Sequence, residues 1–183
     1  MDRLTTPRLI LRPLTLKDAP LLLDFDLRNR AFLAPWEPRR EELYFTLARA
    51  EATVRADART ARRDTGYRWH LFLQSEPGRI IGSVGLSNVV HGVFLSTHLG
   101  YRLDGEMQGQ GFMTEAVGTV IHQAFTTLGL HRIEANVMSR NAASRRVLAR
   151  LGFVEEGLSR RYLKIAGVWE DHLRHVLLNE GLE

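Results

Sequence analysis

The apolar positions of this chain fall into two kinds of pattern. Between residues 113 and 128 they recur at Met113, Ala116, Val117, Val120, Ile121, Ala124, Phe125 and Leu128, the spacing of one helix face. A thinner stripe of Leu43, Leu47, Ala50 and Val54 in a charged background predicts a helix over residues 41–63, stopped by Gly66. Residues 16–27 predict another, with Thr15 at the N-cap position, Asp18 three residues on and Pro20 near its start. Asn141 caps a fourth that runs to Arg150, with Val147, Leu148 and Leu151 inward and Gly152 as its stop.

The remaining apolar runs are short and alternate. They predict strands at residues 8–14, 67–74, 79–88, 94–103, 131–138 and 153–157, and a closing hairpin of 162–165 and 168–178 about Ala166-Gly167. Turns at Glu76-Pro77-Gly78 and near His91-Gly92 make the middle strands an antiparallel meander. Residues 29–38 are expected to be irregular, because Pro35 and Pro38 flank Trp36 and Glu37. An aromatic ring and an acid in a rigid loop suit either a hydrophobic plug or a substrate contact. Helices and strands mix without regular alternation, so the class is α+β around one mixed sheet. A length of 183 residues fits a single domain over 1–183.

Composition narrows the chemistry. With no cysteine there is no disulfide, thiol nucleophile or thiolate metal site, which fits a cytoplasmic protein. No apolar run reaches 18 residues and the first seven residues hold no apolar signal core, so neither a membrane span nor a signal peptide is expected. The seven histidines are scattered, none in a His-x-x-x-His pair with an intervening Glu, and no metal is expected. The net charge of +4 favours acidic or polyanionic partners. The arginines at 59, 62 and 63 suit a solvated helix end, or a docking surface for nucleic acid.

The strongest chemical signal sits between the strand at 94–103 and the helix that follows it. Gln108-Gly109-Gln110-Gly111-Phe112-Met113-Thr114 is a glycine-bearing loop that opens directly onto a helix N-terminus. The first N–H groups of a helix have no intrahelical partner and its dipole makes that end positive. Glycines let the backbone close on a bulky anion. The segment therefore suits a phosphate or pyrophosphate. An ordinary strand-to-helix turn is the plainer alternative. No Lys-Ser/Thr follows the glycines and the spacing is not Gly-x-Gly-x-x-Gly, which removes the Walker and dinucleotide motifs.

Taken together, Gln108 to Ala116 and, about thirty residues on, Asn141 through Leu151-Gly152-Phe153 resemble the GCN5-related N-acetyltransferase (GNAT) superfamily. Residues 8–12, 32–38, Ile81-Gly82 with 87–90, and Trp169-Glu170-Asp171-His172 are similar to its RimJ branch, which acetylates the N-terminal alanine of a small-subunit ribosomal protein. The resemblance implies a mostly antiparallel central sheet flanked by helices, with acetyl-CoA as cofactor. It implies that the backbone from Gln108 to Thr114 holds the pyrophosphate. The main chain of Leu99, Gly100, Tyr101, Arg102 and Leu103 would pair with the pantetheine arm. Asn141 would bond the same arm, with Ser144 and Arg145 close by. The acceptor amine would enter by Trp36 and Glu37.

Three positions depart from the family pattern. Met113 stands where the phosphate loop usually has Gly or Ala. Leu148 stands where many members carry a tyrosine general acid, and Arg161 where a related branch has an acid. Ser144 becomes the candidate acid, against a plain capping or packing role, with Tyr162 second. Glu37, Glu134, Glu106 and Asp171 are the acids that could serve as base. Salt-bridge duty competes for Glu134. The acceptor implied is a ribosomal-protein N-terminus, with no direct nucleic acid required and no membrane. A small amine such as an antibiotic or polyamine is the alternative substrate, and a non-catalytic acetyl-CoA-binding or ribosome-binding module the alternative class. An exposed edge in the closing hairpin could pair two subunits into a homodimer.

Overall fold

The computed structural model describes residues 2–182. Eight strands form one sheet in the order β1-β2-β3-β4-β5-β6-β8-β7. They are β1 (Leu4–Thr5), β2 (Leu9–Arg12), β3 (Gly66–Leu73), β4 (Glu76–Val90), β5 (Ser96–Leu103), β6 (Arg132–Met138), β7 (Val154–Ile165) and β8 (Val168–Leu178). Every neighbouring pair is antiparallel except β5 and β6. A parallel pair needs a crossover, and α4 (Phe112–Thr126) supplies it. The expected α+β class and mixed, mostly antiparallel sheet are what the chain forms.

Helices cover both faces of the sheet. On one face α4 and α5 (Ala142–Arg150) close a core that includes Leu9, Trp69, Ile81, Val117, Val120, Ile133 and Leu148. On the other, α1 (Ala19–Arg28) and α3 (Leu47–Arg62) pack Leu22, Phe25, Ala50 and Val54 against Phe72 and Ile80 of the sheet. This explains why β4 is buried continuously from Ile81 to Leu86 instead of alternating.

Several expected boundaries move, each for a local reason. Residues 29–38 are not wholly irregular: α2 (Arg30–Leu33) is followed by a 3-10 turn at Ala34–Trp36. The helix expected from residue 41 begins at Leu47. Thr46 is extended and its side chain accepts the Arg49 N–H, so the residues before it form a separate 3-10 turn and Leu43 is left exposed. Gly66 does not stop that helix. Asp64, at φ 55, turns the chain, and Gly66 begins β3, where an added Cβ would lie 3.0 Å from the Leu86 carbonyl oxygen. The first hairpin turn falls at 74–75, not at Glu76-Pro77-Gly78. Pro77 lies beside the register shift between Phe72 and Leu73, where a residue without an N–H is tolerated. Finally, the expected strands at 153–157 and 162–165 are one strand, β7, with a register shift between Ser159 and Leu163. Arg161 sits in that shift at φ 48 and its N–H donates to the Asp171 carboxylate at 2.7 Å.

A polar row runs across the sheet beneath α1 and α3. Arg12 pairs with His70, His70 with Ser83 and Ser83 with Arg102 on successive strands. His70 is buried, with neither ring nitrogen hydrogen-bonded. Burial first, then the cations Arg68, Arg102 and Arg12, push its pKa well below the ordinary histidine value. The folded chain therefore keeps His70 neutral while the unfolded chain protonates it below about pH 6.5. Stability from this group is complete above that pH and is lost as pH falls, by up to about 1.4 kcal/mol per unit. Denaturant unfolding at a series of pH values should show that slope between pH 6.5 and 5. His70→Gln should flatten it.

Candidate functional site

The site is built where β5 leaves β6. The two strands pair only from Ser96 to His98, opposite Arg132 to Glu134. β5 then continues to Leu103 along β4, while β6 continues to Met138 along β8. Between them the β6-facing edge of Leu99–Leu103 has no strand partner, although it lies inside the sheet. Backbone polar groups seldom stay unpaired. Gly100 opens on free space where a Cβ would sit. Such an edge fits an extended ligand that pairs through its own amides.

The far end of β5 leads into the glycine loop. Gly109 and Gly111 have φ of 74 and 80, which only glycine adopts without strain. Gly111 is the N-cap of α4, and Glu115 N–H donates to its carbonyl. The N–H groups of Phe112, Met113 and Thr114 precede that bond and have no intrahelical acceptor. Phe112 and Met113 are both buried in the core under α4. Met113 thus replaces the family's small residue without obstructing the loop. Arg8 of the β1–β2 turn clamps the loop from outside: it donates to the Gln110 carbonyl at 2.9 Å, pairs with Glu115 at 2.6 Å and lies over the Phe112 ring. Thr6 also donates to Glu115. Sequence reasoning missed this clamp, because more than a hundred residues separate its halves and no local pattern joins them.

At the open end of the fork stands the N-terminus of α5. Asn141 Oδ1 accepts the Ser144 N–H at 3.1 Å, as its capping role requires, and its side-chain NH2 makes no protein hydrogen bond among the described residues. Ser144 Oγ lies 2.7 Å from Tyr101 Oη, and Tyr101 also donates to the Ser144 carbonyl at 3.2 Å. Burial pushes the Tyr101 hydroxyl up to about 12. Arg145 stays half exposed, 3.8 Å from Glu155.

The acids separate clearly. Glu37 lies 3.5 Å from Arg102 and 3.6 Å from Arg40, in the wall of a cavity on the α1 side of the sheet. Its carbonyl accepts the Ala166 N–H at 2.9 Å, which ties the Trp36-Glu37 loop to the closing hairpin. Trp36 lies beside that cavity, not in its lining, with the Arg140 guanidinium over its ring. Glu134 marks the last pair before the fork and is held by Arg132 at 2.8 Å, with His98 3.9 Å away. Glu106 is exposed and bound to Arg79, and Asp171 accepts the Arg161 N–H. Tyr162 Oη accepts from Asn136 at 3.4 Å. Asp26, which sequence reasoning passed over, lines the same cavity as Glu37 and pairs with Arg102 at 2.9 Å. The signal was present: Asp26 follows Leu22 by four residues and so shares its buried face.

Known proteins match this arrangement. The description "Acetyltransferase (GNAT) domain" matches residues 8–154. The [ribosomal protein uS5]-alanine N-acetyltransferase of Escherichia coli is 40% identical over 171 residues, 93% of this chain and 88% of that one. The crystal structure of ribosomal-protein-S5-alanine acetyltransferase from Vibrio fischeri superposes with a TM-score of 0.94 at 34% identity, covering 100% of both chains. Mycobacterium smegmatis RimJ in complex with CoA-disulfide gives 0.89 at 33% identity, covering 95% of this chain and 83% of that one. The forked sheet, its glycine loop and these relatives together establish that the chain belongs to the GNAT acetyltransferase family, among the RimJ-type enzymes.

Proposed function

We propose that this acetyltransferase moves the acetyl group of acetyl-CoA to the α-amine of a protein N-terminus, with the N-terminal alanine of a small-subunit ribosomal protein as its acceptor. The observation that carries the reading is the unpaired edge of Leu99–Leu103 leading into a positive helix N-terminus. Similarity to the Escherichia coli enzyme supports the choice of acceptor.

When bound, the cofactor supplies an acetyl group activated as a thioester. The residues of this chain do the rest. Main-chain N–H groups from Gln108 to Thr114 hold the pyrophosphate, strengthened by the α4 dipole. The free main chain of β5 from Leu99 to Leu103, and the side-chain NH2 of Asn141, hold the extended arm. An N–H of the same strand would donate to the carbonyl oxygen as charge develops there. Ser144 Oγ and Tyr101 Oη share their protons across 2.7 Å, and the raised Tyr101 pKa keeps that proton in place at neutral pH. Ser144 is therefore the candidate donor to the leaving sulfur. Glu37 and Glu134 lie on the acceptor face as candidate bases, and Trp36 flanks the entrance.

The chemistry suits an α-amine. With a pKa of about 8, roughly a tenth of it is neutral at pH 7, against well under ~0.1% of a lysine amine. A base need supply only about one order of magnitude in free amine, and orientation can supply far more.

Thiol release from acetyl-CoA, with mass spectrometry to locate the acetyl group, tests the acceptor. An alanine-initial ribosomal peptide should be acetylated on its α-amine while polyamines and aminoglycosides are left unchanged. Acetyl on the small amines alone would refute the proposal. Ser144→Ala keeps the backbone N–H that Asn141 caps, so it isolates the hydroxyl. Ser144→Ala and Tyr101→Phe should each lower kcat about 10- to 100-fold with acetyl-CoA affinity unchanged. Arg8→Ala should do the opposite. It should weaken acetyl-CoA binding about fivefold in a calorimetric titration, the scale of one lost hydrogen bond, with kcat kept.

A further inference from the structure

Arg8 grips the glycine loop at its far end, and the near end carries a second anchor. Asp104 is the first residue after β5, and only 2% of it is exposed. Its N–H donates to the Ile81 carbonyl at 2.8 Å, just past the last β4–β5 pair, Gly82 with Leu103. Its Oδ1 accepts the Glu106 N–H at 3.1 Å and its carbonyl accepts the Met107 N–H at 3.0 Å. One residue thus closes the 3-10 turn Gly105–Met107 that delivers the chain to Gln108. Asp104 Oδ2 takes two guanidiniums, that of Arg28 in α1 and, at 3.1 Å, that of Arg79 in β4.

Each of those guanidiniums reaches further. Arg28 also donates to the Ile80 carbonyl at 3.0 Å and to Asp24 at 2.8 Å, and Arg79 also pairs with Glu106 at 2.6 Å. Asn29, 2% exposed, accepts the Gly105 N–H at 3.0 Å and donates to the Phe25 carbonyl at 3.0 Å. Gly105 is pressed against Phe32, whose ring an added Cβ would meet at 3.0 Å. The end of α1, α2 and β4 therefore all hold residues 104–106. Gln110 is tied back to the same turn, its Nε2 donating to the Glu106 carbonyl at 3.3 Å. Burial by itself would raise the Asp104 pKa, but the bonds from Arg28, the Glu106 N–H and Arg79 outweigh it and hold the carboxyl below its ordinary value. Asp104 is thus charged at neutral pH.

We infer that Asp104 is a positioning residue for the cofactor: with Arg28, Arg79 and Asn29 it fixes the entry to the glycine loop, so that Gly109 and Gly111 are held ready for the pyrophosphate. It acts through the loop. Glycines that become ordered around an anion lose more backbone freedom than any other residue. A loop held by Asp104 before it and by Arg8 after it has less freedom left to lose, which lowers the cost of binding. A buried ion cluster adds little stability over an apolar filling; what this one supplies is position. The inference rests on the reading of Gln108 to Thr114 as the pyrophosphate site and is independent of the acceptor.

Calorimetric titration with CoA, and with pantetheine, which has the arm but no pyrophosphate, tests this without any acceptor. Asp104→Ala should weaken CoA binding about tenfold and leave pantetheine affinity as in the wild type. In acetylation kinetics its KM for acetyl-CoA should rise by the same factor with kcat kept. Arg79→Gln leaves Asp104 its Arg28 pair and its capping bond, so it decides the case if Asp104→Ala unfolds. It should weaken CoA about threefold, again without effect on pantetheine. Wild-type CoA affinity in a folded variant, or equal weakening of CoA and pantetheine, would overturn the positioning role alone. Equal affinity of the wild type for the two ligands would overturn the pyrophosphate reading beneath it.

Discussion

The constraint on which the structure depends is the short parallel contact between β5 and β6. Its three residue pairs, Ser96 to His98 with Arg132 to Glu134, hold the sheet together as one unit. Beyond them each strand is fully engaged on its other side only, β5 by β4 and β6 by β8. A longer contact would satisfy more backbone groups and would close the site. A shorter one would split the sheet. The exposed edge of Leu99–Leu103 is the result, and backbone groups at such an edge must find water or a ligand. The crossover α4 sets both ends of the arrangement, because its buried face fixes where the glycine loop sits and its C-terminus delivers the chain back to β6.

What the sequence made legible was local. The apolar stripe of α4, the glycines before it and the Asn141 cap each lie within a few residues of one another, and each took its expected place. The two ends of the fork could therefore be named before their separation was known. What stayed hidden depends on chain segments far apart. The continuity of β7 rests on an irregular register shift at Arg161, which the sequence shows only as a loss of alternation. The Arg8 clamp on Gln110 and the Tyr101–Ser144 hydroxyl pair need the fold to bring them together. The helix expected from residue 41 failed for a different reason: its stripe continued upstream through Leu43, but Thr46 offers a strong cap that ends the pattern.

Asp26 is the most informative of the hidden residues. Asp24 and Asp26 flank Phe25 and look alike in sequence. Asp24 faces water and pairs with Arg28 along the helix, a contact of the exposed kind that contributes little. Asp26 lies on the stripe of Leu22 and faces the sheet, where burial, before the neighbouring Glu37, raises its pKa and Arg102 opposes that shift. Helical phase alone separates the two, a difference of two residues that decides between a solvated charge and a buried one.

The same phase argument joins the two sides of the chemistry. Alternation along β5 sends Tyr101 to the α5 face and Arg102 to the α1 face, so one strand carries a hydroxyl pair on one face and an ion-paired cavity wall on the other. A shift of one residue in the β4–β5 register would exchange them, placing a guanidinium in the apolar core beside Leu148 and a phenol among the carboxylates. Arg102 opposes that slip, because it would leave the cross-strand row of Arg12, His70 and Ser83 and move into the core under α4. Buried polar groups are costly, and here their cost falls chiefly on the wrong alignment. Arg102 thus serves both the register of the sheet and the ion-paired wall of the cavity.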